Sequence, residues 1–203
     1  MSVLEVNDIH KRYGHHTVLD GASLDIQPGE IVGLTGENGA GKSTLLQIIV
    51  GLLRADGGSV ALQGRPGYCP QEPVLFDALT MHENLVYFAA GYGLGRDELH
   101  DRSRALFERL RCQDYAATRV SDLSGGTRQK LNLIVSVLHQ PSLLILDEPY
   151  QGFDYASYLA FWDLAEEFKR AGRSVLIVSH LLIDRDRLDR VYAMRNGLAV
   201  QEG

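Results

Sequence analysis

Three short runs of consecutive apolar residues stand out in the pattern of hydrophobic and polar positions. They cover Ile31 to Leu34, Leu143 to Leu146 and Val175 to Val178, and polar residues border each run. Apolar runs without alternation are typical of parallel strands that are buried on both faces. The stretches Leu45 to Leu53 and Tyr158 to Phe168 between them have helical periodicity. The pattern therefore predicts an α/β fold, in which strands of a parallel sheet alternate with helices.

The first thirty residues have a different pattern. Val3 to Lys11 and Thr17 to Asp25 alternate between polar and apolar positions, with turn residues after each stretch. Alternation predicts strands with only one buried face. Two short strand candidates follow at Gly58 to Leu62 and at Gly67 to Cys69. We expect all four stretches to form antiparallel pieces attached to the parallel sheet.

Residues 72–123 contain helical patterns. Thr80 to Glu83 fits a capping box that opens a helix towards Ala90, where glycines 91, 93 and 95 break the pattern. An amphipathic helix follows over Leu99 to Leu110. We predict a single domain over residues 1–203, in which a helical subdomain at 72–123 is inserted into a core formed by 1–71 and 124–203.

Composition narrows the class of protein. The chain has 203 residues, of which 45% are hydrophobic, and this length fits one domain with an embedded subdomain. A formal net charge of -6 argues against nucleic-acid binding through a broad basic face. Two cysteines, Cys69 and Cys112, cannot form a disulfide framework or a zinc cluster. Neither a signal peptide nor a membrane-spanning stretch is recognisable, so we expect a cytoplasmic protein.

A glycine-rich loop follows the first apolar run and precedes a predicted helix. It consists of Gly36, Glu37, Asn38, Gly39, Ala40, Gly41, Lys42, Ser43 and Thr44. Strand, loop and helix in this order are the context in which G-x-x-x-x-G-K-[ST] indicates a phosphate-binding loop. The glycines let backbone N–H groups surround phosphate oxygens, and the positive helix end near Gly41 adds to the attraction. We expect Lys42 to bind the β- and γ-phosphates and the Ser43 hydroxyl to bind Mg²⁺.

Two carboxylates follow the second apolar run. Asp147 and Glu148 stand at the carboxyl end of a predicted buried strand, where ligands of parallel sheets bind. We expect Asp147 to face the Mg²⁺ held by Ser43. Glu148 is then placed to take a proton from an attacking water molecule.

The remaining motifs resemble those of the ATP-binding cassette (ABC) ATPases. The segment Leu123 to Lys130 resembles the signature sequence of that family. Gln71 resembles the glutamine of the Q-loop, Asp154 the aspartate of the D-loop, and His180 the switch histidine. These motifs stand in the family's order, and the likeness covers residues 3 to 203.

This resemblance implies a P-loop NTPase fold. Its parts would be a RecA-like parallel core, an N-terminal antiparallel β-subdomain and the inserted helical subdomain. Tyr13 resembles the aromatic residue that stacks on adenine, and Val18 would be a second adenine contact. The implied activity is Mg²⁺-dependent ATP hydrolysis. His180 would bind the γ-phosphate and orient the water, and Gln71 would offer an oxygen to Mg²⁺.

The resemblance also implies partners. Ser124, Gly125 and Gly126 would form a second anion site that faces the ATP of another subunit, so two copies or two related cassettes would pair head to tail. With no membrane span of its own, the chain would serve separate permease subunits on the cytoplasmic face of a membrane. These subunits would dock at the helical subdomain. Candidate docking residues are Phe76, Leu79, Leu85, Tyr87 and Phe88. In the alternative interpretation, these residues pack the core of the helical subdomain itself.

The type of transport is indicated by two further segments. Thr127 to Leu131 and Leu138 to Pro141 resemble the ATPase subunits of ABC-2-type exporters. The alternative is a non-transport ABC ATPase that acts as a mechanical or regulatory switch, in cell division or cluster assembly. A cassette that binds ATP without hydrolysing it is disfavoured, because the catalytic motifs are complete. Tyr150, Phe153 and Tyr155 depart from the family's usual residues at the expected dimer seam.

Overall fold

The computed structural model describes residues 1–180 and 184–202. The strands are β1 Leu4–Tyr13, β2 His16–Ile26, β3 Ile31–Thr35, β4 Gly57–Leu62, β5 Gly67–Cys69, β6 Leu143–Asp147, β7 Ser174–Val178, β8 Arg190–Arg195 and β9 Leu198–Glu202. The α-helices are α1 Lys42–Ile49, α2 Met81–Tyr92, α3 Arg96–Arg109, α4 Gly125–Val137 and α5 Tyr155–Arg170. Helix α1 follows β3, and α5 connects β6 to β7, as in the strand–helix units typical of α/β proteins.

A six-stranded sheet forms the centre of the molecule, with the strand order β5-β6-β7-β3-β8-β9. The first five strands of this order are parallel, and β9 is antiparallel to β8. Every residue of β6 and β7 is buried, as the unbroken apolar runs predict. Val178 pairs with Leu34 on one side and with Asp147 on the other. The carboxyl ends of β3, β6 and β7 therefore lie side by side at one edge of the sheet.

The prediction for β5 was wrong. Gly67 to Cys69 do not join the antiparallel part of the molecule but pair in parallel with β6, from Gly67 opposite Leu144 to Cys69 opposite Leu146. The chain between β5 and β6 is long enough for the crossover that parallel neighbours need. A Cβ atom on Gly67 would lie 2.1 Å from the carbonyl oxygen of Ser136, so glycine is what lets β5 pass this close to α4.

A second, antiparallel sheet has the order β2-β1-β4, which confirms the prediction for these three strands. Helix α1 packs between the two sheets and buries Leu45, Leu46, Ile48 and Ile49. The helix is shorter than its apolar pattern predicts. It ends at Ile49, Gly51 follows in the left-handed conformation that commonly closes helices, and Leu52 is 71% exposed.

The helices α2 and α3 belong to the segment 72–123. Thr80 and Glu83 form the predicted capping box, in which each side chain accepts a hydrogen bond from the other residue's backbone N–H. The helix continues past Gly91 and ends at Gly93, whose φ of 77° is left-handed. None of the helices in the described part of the chain is long and apolar enough to cross a bilayer.

Candidate functional site

The glycine-rich loop runs from the end of β3 to the start of α1. Gly36, Gly39 and Gly41 all have positive φ angles, of 151°, 83° and 96°. A Cβ atom on Gly36 would lie 2.9 Å from the carbonyl oxygen of Met194, and one on Gly41 would lie 2.9 Å from a methyl group of Leu19. The backbone conformation therefore favours glycine at all three positions, and close neighbours add to this requirement at Gly36 and Gly41.

Lys42 is the first residue of α1 and closes the loop. Its ammonium group donates to the carbonyl oxygens of Gly36 at 2.6 Å and Glu37 at 3.0 Å. No acidic residue occupies the first turn of α1, so the positive end of the helix is not neutralised there. The loop thus combines a cation and a helix N-terminus, which together attract a phosphate group.

Asp147 ends β6 beneath this loop and is only 6% exposed. Burial, and after it the charge of Glu148, raises the pKa of the Asp147 carboxyl, while Lys42 and the Ser43 hydroxyl act in the opposite direction. A buried carboxylate next to a second one is an environment that favours a cation. Asp147 and Ser43 line the same cavity.

Glu148 is held by the end of β7. Its Oε2 accepts a hydrogen bond from the Ser179 hydroxyl at 2.9 Å, and its Oε1 accepts from the backbone N–H of His180 at 2.7 Å. The Nδ1 atom of His180 lies 2.7 Å from the same Oε1. The backbone of Glu148 has a φ of 48°, which is uncommon outside glycine and often accompanies function. The carboxylate is therefore fixed in one orientation at the edge of the sheet.

A cavity of about 440 Å³ brings most of the predicted residues together. Its lining consists of Val18, Asn38, Gly39, Gly41, Lys42, Ser43, Thr44, Gln71, Asp147, Glu148 and His180. An adjoining open cleft of about 1100 Å³ includes Val18, Gly36, Glu37, Ala40 and His180 and reaches the turn between β8 and β9. The phosphate loop, the two carboxylates, the glutamine and the histidine thus face one space.

Tyr13 lies apart from both cavities. It ends β1, is 52% exposed, and has the ammonium group of Lys11 at 5.8 Å from its ring centre. Its ring is thus available for stacking but does not line the pocket that holds Lys42.

The signature segment and the D-loop form a second unit. The Ser124 hydroxyl accepts from the backbone N–H of Thr127 at the start of α4, and an Asp154 oxygen accepts from that of Ser157 at the start of α5. Lys130 in α4 lies 3.7 Å from Asp154. Ser124, Gly125, Gly126 and Asp154 line neither of the two cavities.

Close packing joins the signature segment to the D-loop. A Cβ atom on Gly126 would lie 2.4 Å from the carbonyl oxygen of Gly152, whereas one on Gly125 would meet nothing within 4 Å. The two neighbouring glycines therefore have different surroundings, and only Gly126 is required by contact with the rest of the chain.

Sequence reasoning missed two contributors. Ser179 holds Glu148, and its position directly before His180 at the end of a predicted strand was a signal that could have indicated this. The pairing of Lys130 with Asp154 had no local signal, because the two side chains meet only in the folded chain.

Comparison with known proteins agrees with this geometry. Residues 19–151 match the ABC transporter family. An uncharacterized ABC transporter ATP-binding protein of Methanocaldococcus jannaschii is 34% identical over 201 residues, which cover 98% of this chain and 77% of the relative. Nod factor export ATP-binding protein I of Burkholderia lata is 32% identical over 213 residues, which cover 98% of this chain and 70% of that protein. A solved structure of an ATP-binding subunit of an ABC transporter has a TM-score of 0.93 at 30% identity. The match covers 99% of this chain and 90% of that structure.

Fold and site together define a P-loop NTPase with a RecA-like core, an antiparallel β-subdomain and helical insertions. The chain belongs to the ABC transporter ATP-binding family, and it is an ATP-binding and ATP-hydrolysing subunit of such a transporter. The resemblance carried by the signature segment is thereby confirmed. A dimeric ATP-binding cassette bound to ADP and Pi shares the fold, with a TM-score of 0.89 at 21% identity.

Proposed function

We propose that this chain acts as a single nucleotide-binding domain over residues 1–203 and hydrolyses Mg²⁺-ATP to power an exporter. The observation that carries this proposal is the carboxylate of Glu148, held by two neighbouring residues at the rim of the cavity that contains Lys42 and Asp147. Such a carboxylate is positioned before substrate arrives, which is what general-base catalysis requires.

The donors for a magnesium ion fit the chemistry of that ion. The Ser43 hydroxyl, the Gln71 amide and the Asp147 carboxylate line the same cavity, and all offer the hard oxygen ligands that Mg²⁺ prefers. When bound, Mg²⁺ neutralises charge on the β- and γ-phosphates. The chain's own part would be to hold these oxygens and the Lys42 ammonium group around the cavity that receives the phosphates.

Each remaining residue of the pocket has a distinct role in this proposal. Glu148 accepts a proton from the attacking water, and His180 binds the γ-phosphate and orients that water. The loop from Gly36 to Thr44 holds the phosphates through its backbone. Tyr13 stacks on the adenine ring with Val18 as a second contact, which gives affinity for any purine.

The signature segment serves the ATP of a second cassette. Ser124, Gly125 and Gly126 lie at the N-terminus of α4, which attracts anions, and they do not line the chain's own pocket. Two cassettes, identical or different, would therefore pair head to tail with two ATP molecules between them. Asp154, fixed at the start of α5, would lie at the seam.

The permease docks at the helical subdomain, residues 72–123, in this proposal. Phe76 and Tyr87 are 42% and 56% exposed and pack on each other with ring centres 4.4 Å apart, so they present an apolar surface. Leu85 is fully buried and packs the subdomain's own core instead, while Leu79 and Phe88 are partly buried. Replacing Tyr87 by serine should weaken co-purification with the membrane subunits from detergent, whereas the exposed Tyr115→Ser on the same segment should not.

Export is the direction that the relatives support. Several of them are named as Nod factor export ATP-binding proteins. We assign no cargo to this chain, since the cargo meets the permease subunits. The chain itself would lie on the cytoplasmic face of the membrane, held there by those subunits.

The decisive experiment is the substitution Glu148→Gln. It keeps the size of the side chain and removes its basicity, so the variant should bind Mg²⁺-ATP and dimerise but release phosphate at least about a hundredfold more slowly. Phosphate release and ATP-dependent dimer formation on a sizing column measure the two effects. The matched control is Asp163→Asn, an exposed carboxylate on α5. Turnover at the wild-type rate in Glu148→Gln contradicts the proposal.

A further inference from the structure

Lys130 is a buried cation in the second turn of α4. Only 8% of the residue is exposed, although lysine is rarely buried without a charged partner. Within residues 1–180 and 184–202, Asp154 is the one acidic residue whose carboxylate lies within 4.0 Å of the Lys130 ammonium group, at 3.7 Å. The side chain of Asp154 is mostly exposed, so the ion pair lies where the buried part of α4 meets the surface.

Asp154 connects two helices through its two carboxylate oxygens. Oδ1 accepts a hydrogen bond from the backbone N–H of Ser157 at 2.8 Å and thereby caps α5. Oδ2 faces the ammonium group of Lys130 in α4. The hydrogen bond from Ser157 lowers the pKa of Asp154 most, and the charge of Lys130 adds to this effect, so the carboxyl is ionised at neutral pH. The start of α5 is therefore tied to the second turn of α4.

A second contact lies one turn earlier on the same face of α4. Gly126 precedes Lys130 by four positions, and residues with this spacing are neighbours on a helix surface. Gly126 packs so closely on the D-loop that a Cβ atom there would lie 2.4 Å from the carbonyl oxygen of Gly152. One face of α4 thus contacts the D-loop at two points, by close packing at Gly126 and by charge at Lys130.

We propose that Lys130 is a positioning residue for hydrolysis of the ATP bound by the second cassette. Through Asp154 it holds the D-loop and the N-terminus of α4 in one arrangement, so that Ser124, Gly125 and Gly126 meet that ATP together with the D-loop. The inference rests on the proposed head-to-tail pairing of two cassettes. Groups that must be oriented before reaction lose rate when their support is loosened, so a D-loop that moves independently of α4 should slow hydrolysis.

The first test is Lys130→Met, which replaces the ammonium group by an apolar side chain of similar length. Exchanging a buried ion pair for apolar groups is often neutral or stabilising, so the melting temperature should not fall. We expect kcat to fall about tenfold, with KM for ATP unchanged because Lys130 does not line the cavity of its own chain. The matched control is Lys169→Met, which removes a cation paired with Asp189 at the end of α5 and should leave kcat unchanged.

Mixing two variants shows on which ATP the residue acts. In a head-to-tail pair, each site combines the loop and base of one chain with the signature segment of the other. A dimer of Lys130→Met with Glu148→Gln therefore has one intact site, made by the base of the first chain and the signature segment of the second. An equimolar mixture made before ATP is added should recover about a quarter of the wild-type rate, because about half of the dimers are mixed and each has one of its two sites intact.

Recovery would also show that Lys130→Met is folded, since a misfolded chain could not supply the base. Unchanged kcat in Lys130→Met, a change confined to KM, or a mixture no faster than its two components each overturn the inference. A mixture of Ser124→Arg with Glu148→Gln separates the two proposals. If it recovers activity and the Lys130→Met mixture does not, only the positioning role fails; if neither mixture recovers, the head-to-tail pairing itself fails.

Discussion

The Nδ1 atom of His180 lies 2.7 Å from Oε1 of Glu148, and the backbone N–H of His180 donates to the same oxygen at 2.7 Å. The histidine thus contributes to the site through its side chain and its main chain at once. Substituting the side chain removes only one of these contacts, because the backbone N–H remains. The glutamate should therefore keep part of its orientation in a His180 variant.

We first predict that His180→Ala lowers kcat for ATP hydrolysis by about a hundredfold or more, while ATP still binds. The imidazole is 58% exposed towards the cavity, so its loss should cost little stability. Single-turnover phosphate release measures the rate, and equilibrium binding of a fluorescent ATP analogue measures affinity. His15→Ala, an exposed histidine in the turn after β1, serves as the control. The prediction fails if both variants hydrolyse ATP equally fast.

The second prediction concerns Lys42. Its ammonium group already lies over the loop carbonyls of Gly36 and Glu37, so Lys42→Ala should remove the main cation that meets the phosphates. A ligand at one hundred times its Kd stabilises a folded protein by about 2.7 kcal/mol. The wild-type melting temperature should therefore rise clearly in Mg²⁺-ATP, and that of Lys42→Ala should not.

Differential scanning fluorimetry with and without Mg²⁺-ATP tests this. Arg170→Gln, which removes an exposed cation at the end of α5, should retain the full wild-type shift. An equal shift in Lys42→Ala would show that the loop backbone alone provides the binding energy.

The third prediction compares two adjacent glycines. Gly126→Ala should destabilise the fold by about 1–3 kcal/mol, because the new Cβ atom would lie 2.4 Å from the Gly152 carbonyl oxygen and force the D-loop away. Gly125→Ala meets no neighbour within 4 Å and should be neutral or slightly stabilising in the first turn of a helix. Urea denaturation of both variants makes the comparison. Equal free energies of unfolding for the two variants would mean that the D-loop can move away from the new Cβ atom without loss of stability.

The fourth prediction concerns pH and stability, away from the nucleotide pocket. The Arg190 guanidinium lies 3.1 Å from Asp25 and lowers the pKa of that carboxyl below 3.8, its ordinary value. The stability that this ion pair contributes is fully present above the pKa of Asp25 in the unfolded chain. It is lost as the pH falls through the lower pKa that Asp25 has in the folded protein.

Asp25→Asn should accordingly destabilise the protein at pH 7, and the deficit should shrink as the pH is lowered below about 3.8. We expect about 1 kcal/mol or less, since the Asp25 side chain is 42% exposed and water screens the pair. Urea denaturation at a series of pH values measures the difference. A deficit that stays constant down to pH 3 would contradict an origin in the carboxylate charge.

The sequence by itself determined the central strands and the loop between β3 and α1. Unbroken apolar runs specify strands buried on both faces, and parallel strands end at the same edge. Lys42, Asp147 and His180 could therefore be expected near one another from local patterns alone. The glycines of this loop could also be interpreted from the sequence, because backbone turns with positive φ angles favour glycine.

Only the tertiary structure decided the direction of β5 and the contacts that orient Glu148. Three residues are too few to show a periodicity, so the pairing of Gly67–Cys69 with β6 depended on the crossover that precedes β6. Ser179 and His180 reach the glutamate because β7 ends beside β6. Such contacts join side chains whose relative directions are set by packing, and no local pattern of residues encodes them.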